Sequence, residues 1–507
     1  MSLTSALSVA NSGLTSIDAQ FAVLTQNVAN VGTPGYAAET GNQQSVTAGG
    51  VGMGARAAPA TLATDTALQT SLVAQNAATA GLQTTVTALQ AIDAALGTPG
   101  QGNDLGSLVG DLRDSFSTLM NDPSNQTQQS NVVASASQLA SGINSLAHTY
   151  TEQRQAAQDD LGSSLTTLNG TLGSIGQINQ QIMSLRQEGL STADLENKRN
   201  ALVTTLSGLV NIHTTVQANG NLSIVTDSGL VLPTDGSANF SITGGATPPE
   251  AYYPGGGLSG IMLNGKDVTS QLTGGQIGAD VTLRDTTLPT DQAELDEFAN
   301  GLANRFSAQG LTLFTDQSGN LPASGSGAGQ AGYVGFSSVI TVNPAVAANP
   351  SLVRDGTNAV PGDPNGASAF TPNPAGGPSG FTALISRVLN YTFTGEAQAG
   401  VAQPAMNTQD LGPAGTLNAP FQAAASFTDY AVNLVASQSQ QSAAASNDLA
   451  TATGLQSTLN SKLSSETGVD LNTEMSRMLT LQNAYGANAR VISALQAMFN
   501  EILQVVQ

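Results

Sequence analysis

A repeat of apolar residues opens the chain. Large apolar side chains recur in alternating steps of four and three, with Ala10 filling the one gap. A mean spacing of about 3.5 residues is typical of a coiled-coil seam. This N-terminal seam consists of Leu3, Leu7, Leu14, Ile17, Phe21, Leu24, Val28 and Val31. Burying one such seam does not offset the entropy cost of ordering its backbone, so the predicted helix needs a partner.

Residues 32–36 end this first helix. Gly32 is expected to take the left-handed conformation that follows a helix, and Pro34 prevents further helix. Pro34 and Gly35 suit the two central positions of a type II turn. Residues 37–60 are rich in small side chains and glycines, and we predict that they form an extended or looped linker.

Helical periodicity dominates the next part of the chain. Apolar residues at spacings of three and four predict helices over 64–96, 105–120, 131–187 and 191–210. Ser191 or Thr192 is a candidate N-cap for the last of these helices.

A β-rich stretch is predicted over 211–283. Thr and Val alternate there, and 219–220 and 227–229 have the composition of hairpin turns. A helix follows, which Thr290 is expected to cap and in which Phe298 and Phe306 face the core. The helix pattern returns over 420–463.

A second seam closes the chain. From about Asp470 onward, apolar residues again follow a mean spacing of about 3.5 residues. This C-terminal seam consists of Leu471, Met475, Met478, Leu481, Tyr485, Ile492, Leu495, Phe499, Ile502 and Val506. Each terminal helix has an apolar seam that no neighbouring segment buries, so we predict that the two helices pack against each other.

The order of these elements predicts a multidomain α+β fold. Residues 1–60 and 466–507 form a terminal coiled-coil domain, which we expect to be disordered in the free monomer. An elongated helical domain consists of 61–210, 284–316 and 416–465. A β-rich domain at 211–283 and a second β or irregular region at 317–415, which includes a strand at 339–342, are inserted into it.

Composition excludes several classes of function. The chain of 507 residues has 35 acidic and 14 basic residues, a net charge of −21 and no cysteine. Nucleic acids and anionic membranes require clustered basic residues, and disulfides and thiolate sites require cysteine. No apolar run is long enough to cross a membrane, and the N-terminus lacks the pattern of a cleaved signal peptide.

Candidate catalytic and metal-binding residues are few. His148 and His213 are isolated in sequence, which favours structural roles. Residues 327–332 spell a GxGxxG motif, but they precede a strand and so reverse the dinucleotide-binding order. Four acidic residues lie at a predicted helix start, where the helix dipole and a solvated face explain them; they are Asp291, Glu294, Asp296 and Glu297. Three methionines of the last helix are interpreted as packing residues of the C-terminal seam; they are Met475, Met478 and Met498. We expect no enzyme, cofactor or metal.

Both ends of the chain resemble the flagellar axial proteins. The first motif runs from Asn27 to Tyr36 and is similar to the signature of rod, hook and first hook-associated proteins; its matching residues are Asn27, Asn30, Thr33, Pro34, Gly35 and Tyr36. The second runs over 474–506 and includes Arg490. The motif pair at the extreme ends is far more specific than either motif alone. Ala37 to Glu39 depart from the polar or basic residues usual after the turn.

Three internal stretches resemble the hook-associated family that forms the hook–filament junction. They lie at 195–203, 275–289 and 342–356. The resemblance implies a homo-oligomeric ring, with the hook protein on one side and a second junction protein and the filament on the other. It also implies type III export without a cleaved signal peptide, a cytoplasmic chaperone at the C-terminal region, and an extracellular location on the flagellum. A hook or rod subunit and an exposed flagellar adhesin are the alternatives.

Overall fold

The chain begins with a helix and a long hairpin. A computed structural model describes residues 3–97, 102–237, 239–323 and 330–506. Helix α1 (Leu3–Ala29) leads into strands β1 (Glu39–Ala48) and β2 (Val51–Leu62), which pair antiparallel. The extended conformation predicted within 37–60 is confirmed, but the segment is not a linker, because its extended halves pair with each other. Gly49 and Gly50 have φ of 59° and 80°, as a two-residue hairpin turn requires.

Four helices follow the hairpin. They are α2 (Thr66–Leu96), α3 (Leu105–Asn121), α4 (Gln126–Glu188) and α5 (Ala193–Leu209). The side chains of Asp65, Asp104 and Asn125 accept backbone N–H groups at the starts of the first three. Thr192 precedes α5 but makes no cap, since its hydroxyl instead donates to Glu196 Oε1 at 2.7 Å.

The β-rich stretch forms two small antiparallel sheets. The first contains β3 (Ile212–Val216), β4 (Leu222–Thr226) and β5 (Val231–Leu232), and the second contains β6 (Phe240–Ser241), β7 (Met262–Leu263) and β8 (Lys266–Asp267). The two predicted hairpin turns are confirmed, with Gly220 and Gly229 at φ of 91° and 90°.

Helices α6 (Gly275–Thr282) and α7 (Leu288–Ala308) are joined by a π-helical turn over Leu283–Thr287. Thr290 consequently lies inside α7, and the prediction that it caps the helix is wrong. Short elements follow: β9 (Phe314–Thr315) pairs with β10 (Thr341–Val342), and β11 (Glu396–Gln398) with β12 (Val401–Ala402). Between these pairs lie α8 (Pro344–Ala348), α9 (Leu352–Asp355) and α10 (Ala383–Arg387).

Two long helices complete a mixed α+β fold. They are α11 (Phe427–Thr467) and α12 (Leu471–Val506), separated by a break at Gly468. Helix α11 packs along α2, and α12 packs along α1. Within the described residues, no helix combines the length and the hydropathy that crossing a bilayer requires.

Two apolar cores are arranged along α4. The first joins α3, the first half of α4, α7 and α11, and it also includes Phe336, Val353 and Leu384. The described residues of 317–415 therefore share the core of the helical elements and do not pack around a core of their own. The second core joins the later half of α4 to α5, α6 and the two three-stranded sheets.

A layer of polar side chains separates the two cores. Arg284 is fully buried and donates to Asp285 through two bonds of 2.7 Å and to Gln158 Oε1 at 2.8 Å. Arg154 of α4 donates to three backbone carbonyls, including that of Arg284. Burial lowers the pKa of Arg154 to about 10, and its carbonyl partners compensate for the lost hydration.

The acidic residues of α7 are buried, so their assignment to a solvated face is wrong. Asp291, Glu294, Asp296 and Glu297 are all at most 5% exposed. Asp296 accepts from Ser337 Oγ at 2.6 Å and from two backbone N–H groups. Glu297 Oε2 accepts the Tyr333 hydroxyl at 2.6 Å. The segment over 330–337 covers this side of the helix.

Asp291 and Glu294 lie where α7 meets α4 and α11. Tyr150 of α4 donates to Gln438 of α11, and Gln438 donates to Glu294 Oε2 at 3.3 Å. One oxygen of each carboxyl group lacks a hydrogen-bond partner among the described residues. Burial raises the pKa of Glu294 to about 8, and burial and the neighbouring Glu294 raise the pKa of Asp291 well above its ordinary range.

The stability of this helical core should fall as the pH rises from about 5 to about 8. The pKa of Glu294 in the unfolded chain is about 4.3, so the folded protein binds the extra proton between that pH and about 8. The stabilisation is fully present below the unfolded pKa and is lost as the pH rises through the folded pKa. Thermal unfolding followed by circular dichroism at pH 5 and pH 8.5 should give midpoints several degrees apart.

The variant Glu294→Gln should reduce this pH dependence, because its amide stays neutral, while the raised pKa of Asp291 leaves a remainder. Glu396→Gln, which changes an exposed carboxylate of β11, is the matched control and should leave the dependence intact. An unchanged pH dependence in Glu294→Gln would contradict the assignment of the raised pKa to this residue.

Candidate assembly interface

The two seams meet in the structure. Helices α1 and α12 pack antiparallel: Gly13 lies against Asn488, and farther along α1 Leu24 lines the same cavity as Leu481. Ile17 and Leu24 are 5% and 3% exposed. The seam residues that are partly or fully buried are Leu3, Leu7, Leu14, Ile17, Phe21, Leu24, Val28, Met478, Leu481, Ile492, Leu495 and Phe499.

One chain leaves part of the C-terminal seam uncovered. Met475 and Ile502 are 50% and 49% exposed, and the predicted seam residues Val31, Leu471 and Tyr485 are exposed as well. The side chain of Val506 lies outside the described residues. We call the exposed apolar surface of this helix the open face of α12; it consists of Leu471, Met475, Leu479, Tyr485, Val491, Met498, Ile502 and Leu503.

A polar stripe on α1 faces the β1–β2 hairpin. The Ala55 N–H donates to Ser12 Oγ at 3.2 Å, and Gln20 Nε2 donates to Gln43 Oε1 at 3.3 Å. Gly54 lies against Ser12 with φ of 118°, so a side chain at this position would clash with α1. The hairpin is thus held on α1 by hydrogen bonds and by close backbone approach. A two-stranded hairpin has little stability alone.

Asn27 connects the end of α1 to the start of β1. It is fully buried, its Nδ2 donates to the Glu39 carbonyl at 2.8 Å, and its Oδ1 accepts the Glu39 N–H at 2.9 Å. The Tyr36 hydroxyl donates to the same oxygen at 3.1 Å. The Asn27 side-chain amide thus bonds both backbone groups of Glu39, as a neighbouring β-strand would.

Asn197 of α5 makes the corresponding bonds from the other side. Its Oδ1 accepts the Ala37 N–H at 3.0 Å, and its Nδ2 donates to the Ala37 carbonyl at 3.0 Å. The Ala38 N–H donates to the Thr467 carbonyl, at the end of α11, at 2.7 Å. We call this arrangement the joint; it consists of Asn27, residues 36–39, Asn197 and Thr467. It connects α1, the hairpin, α5 and α11.

The predicted turn after α1 is closed by a backbone hydrogen bond. The Tyr36 N–H donates to the Thr33 carbonyl at 3.2 Å, and Gly35 has φ of 77°, as the third position of a type II turn requires. Asn30 and Thr33 bond to each other through their side chains at 3.3 Å, and Pro34 is exposed. The left-handed conformation expected at Gly32 is wrong, because Gly35 provides the positive φ instead.

Burial raises the pKa of two groups at the joint. Burial, followed by the charge of Glu39, raises the pKa of Tyr36, so its hydroxyl stays protonated and able to donate. Burial also raises the pKa of Glu39, and a hydrogen bond from Asn197 opposes that shift. Ala37 and Glu39 are 5% and 4% exposed. The residues that depart from the family pattern are therefore enclosed by the joint.

The other candidate residues have structural surroundings. His148 lies beside Glu152 at 3.2 Å and His213 beside Asp227 at 3.1 Å, both on the surface. Residues 327–329 of the glycine-rich motif lie outside the described residues. In the part of the chain that the structure describes, no three His, Asp or Glu side chains are placed to hold a metal ion.

Two family models match this chain. The model of the flagellar hook-associated protein FlgK helical domain matches residues 89–321, which include the predicted internal stretches at 195–203 and 275–289. The model of the flagellar basal body rod FlgEFG protein C-terminal region matches residues 463–505, which include nearly all of α12.

Individual relatives agree with these models. Flagellar hook-associated protein 1 of Escherichia coli (strain K12) is 23% identical over 557 aligned residues, which cover 99% of this chain and 100% of that protein. Flagellar hook-associated protein 1 of Bacillus subtilis (strain 168) is 22% identical over 44% of this chain and 46% of its own.

A solved structure, that of the flagellar hook junction protein FlgK from Burkholderia pseudomallei, is 25% identical and covers 50% of this chain and 46% of its own. Its TM-score is 0.40. This chain is therefore similar to the flagellar hook-associated proteins: residues 89–321 match the FlgK helical domain, and the chain aligns end to end with a hook-associated protein 1.

Proposed function

We propose that this chain is a structural component of the bacterial flagellum that joins the hook to the filament. Copies of the chain form a homo-oligomeric ring through α1 and α12. The end-to-end alignment with a hook-associated protein 1 supports this role. The function requires no catalysis, because the work of such a subunit is to bind its neighbours.

The observation that carries the proposal is the open face of α12. Its apolar residues, such as Leu479 and Leu503 at 60% and 62% exposed, extend along a helix at the end of the chain. Many large apolar side chains left exposed along one helix indicate a site of protein association. Neighbouring copies would cover it and would complete the packing that α1 alone leaves unfinished.

The same surface supports disorder of the terminal domain in the free subunit. The described residues within 1–60 and 466–507 bury few apolar side chains in one copy, so assembly supplies most of the free energy that orders them. The ends then fold as each subunit joins the ring. This order of events suits a chain that is exported unfolded through the type III channel without a cleaved signal peptide.

The proposed partners follow from this place in the flagellum. The hook protein contacts the ring on one side, and a second junction protein and the filament contact it on the other. Before export, a cytoplasmic chaperone binds the C-terminal region and covers its apolar residues. The assembled protein is extracellular.

Charge on the open face should prevent assembly. Met475→Glu places a carboxylate on an exposed apolar position, so the isolated subunit should unfold at the wild-type temperature while association fails. A deletion strain should keep its hooks, lose its filaments and release filament protein into the medium. The wild-type gene should restore swimming, and the Met475→Glu gene should not.

Gln441→Glu is the matched control, because it adds the same charge at an exposed position of α11 outside the terminal domain. This variant should restore swimming. Normal swimming with Met475→Glu would contradict the assignment of the open face to assembly. A deletion strain without hooks would indicate a rod or hook role instead.

Asn27→Asp should weaken the joint. The carboxylate keeps the acceptor for the Glu39 N–H but loses the donor to the Glu39 carbonyl, which is buried. A buried carbonyl without its donor costs about 1–3 kcal/mol. We expect an unchanged thermal transition of the helical core, and a reduced amount of this protein in purified flagella.

Asn11→Asp adds the same charge to an exposed position of α1 and serves as the comparison. Wild-type amounts of the Asn27→Asp protein in flagella would show that the joint is not needed for assembly.

A further inference from the structure

A cavity of about 280 Å³ opens between α1, β1 and α12. Two buried carboxylates, Glu39 and Glu474, line it at 4% and 3% exposed. One guanidinium, that of Arg477, also lines it and forms an ion pair with Glu474 at 3.0 Å. The walls therefore hold one carboxylate more than they hold cations.

The remaining walls suit the stem of a long basic side chain. Val23 and Leu24 of α1 and Leu481 of α12 provide apolar surface around the carboxylates. An arginine packs its methylene groups on such surface while its guanidinium binds a carboxylate through two hydrogen bonds. A buried carboxylate without a cation is costly, so an incoming guanidinium would be stabilised there.

Among the described residues, Arg490 is the cation of the terminal domain that lacks a partner. It is exposed, and it has no hydrogen bond or ion pair within that part of the chain. By contrast, Arg56 donates to Gln44 Oε1 at 3.2 Å. Arg490 lies sixteen residues beyond Glu474 on the same helix, which is about 24 Å along the axis and roughly the opposite side of it. It cannot reach the cavity of its own chain.

We propose that the cavity between α1, β1 and α12 binds the Arg490 side chain of a neighbouring copy of this chain. The proposal rests on the ring assembly proposed above. Arg490 and the cavity lie on opposite sides of the α1–α12 pair, so each copy inserts its own arginine into one neighbour and binds the arginine of another. Such a head-to-tail contact repeats around an assembly. Neighbouring terminal domains are consequently offset along their helix axes by about 24 Å.

Engineered cysteines test this contact in the full-length protein. The chain has no cysteine of its own. Thr40→Cys is placed at the exposed rim of the cavity and combined with Arg490→Cys. Purified flagella are oxidised and their proteins are separated under non-reducing conditions. Disulfide bonds require Cα atoms within about 7 Å, so the inference predicts a ladder of crosslinked copies of this chain.

Thr25→Cys with Arg490→Cys is the matched control, because Thr25 lies beside the cavity on the exposed side of α1 and does not line it. This pair should give no ladder. Crosslinking of the two cavity variants to another flagellar protein, or no crosslink in flagella that contain the protein, would overturn the inference. Either outcome would leave the proposed ring assembly uncontradicted.

Charge variants give a second readout that does not depend on cysteine geometry. Arg490→Glu should lower the amount of this protein in flagella about tenfold or more, and Arg490→Lys should retain most of it. Equal amounts in wild type and Arg490→Glu would overturn the inference. Absence of the wild-type protein from purified flagella would instead refute the ring assembly, and the inference with it.

Discussion

The packing of α1 against α12 is the contact on which the proposed function depends. It brings the two ends of the chain together and buries Ile17 and Leu24 between them. Yet it covers only one side of α12, and Met475 and Leu479 stay half exposed or more. A helix pair with so much uncovered apolar surface is marginal in water. Its stability therefore depends on what surrounds it, which suits the proposal that the subunit becomes ordered at its place of assembly.

The joint connects the terminal helix α1 to the helical body of the molecule. Asn27 and Asn197 hold the backbone of 37–39 from two sides with paired amide bonds. Neither amide can be replaced by an apolar group without leaving buried backbone groups unpaired. The terminal helix thus has a defined direction relative to α5 and α11. In the body, the layer around Arg154 and Arg284 plays a similar part between the two cores.

Periodic and local features of this fold could be predicted from the sequence, and features made by distant segments could not. The seams, the long helices and the turn at Pro34 follow from spacing and turn chemistry. The joint depends on Asn197, which lies 160 residues from Ala37. The acidic residues of α7 have an ordinary helix-start pattern, and only residues 330–337 folding over them make them buried. The hairpin could not be predicted because its strands have no alternating apolar pattern; it packs on α1 through Gly54 rather than through an apolar stripe.

Hydrogen–deuterium exchange of the same full-length protein, as a monomer and within purified flagella, tests the central claim most directly. Backbone amides of α1 and α12 should exchange rapidly in the monomer and slowly after assembly. Amides of the first core, such as those near Leu139 and Phe298, should be protected in both states. Equal, strong protection of α1 and α12 in the monomer would contradict the account, because the terminal helices would then be stable without neighbouring copies.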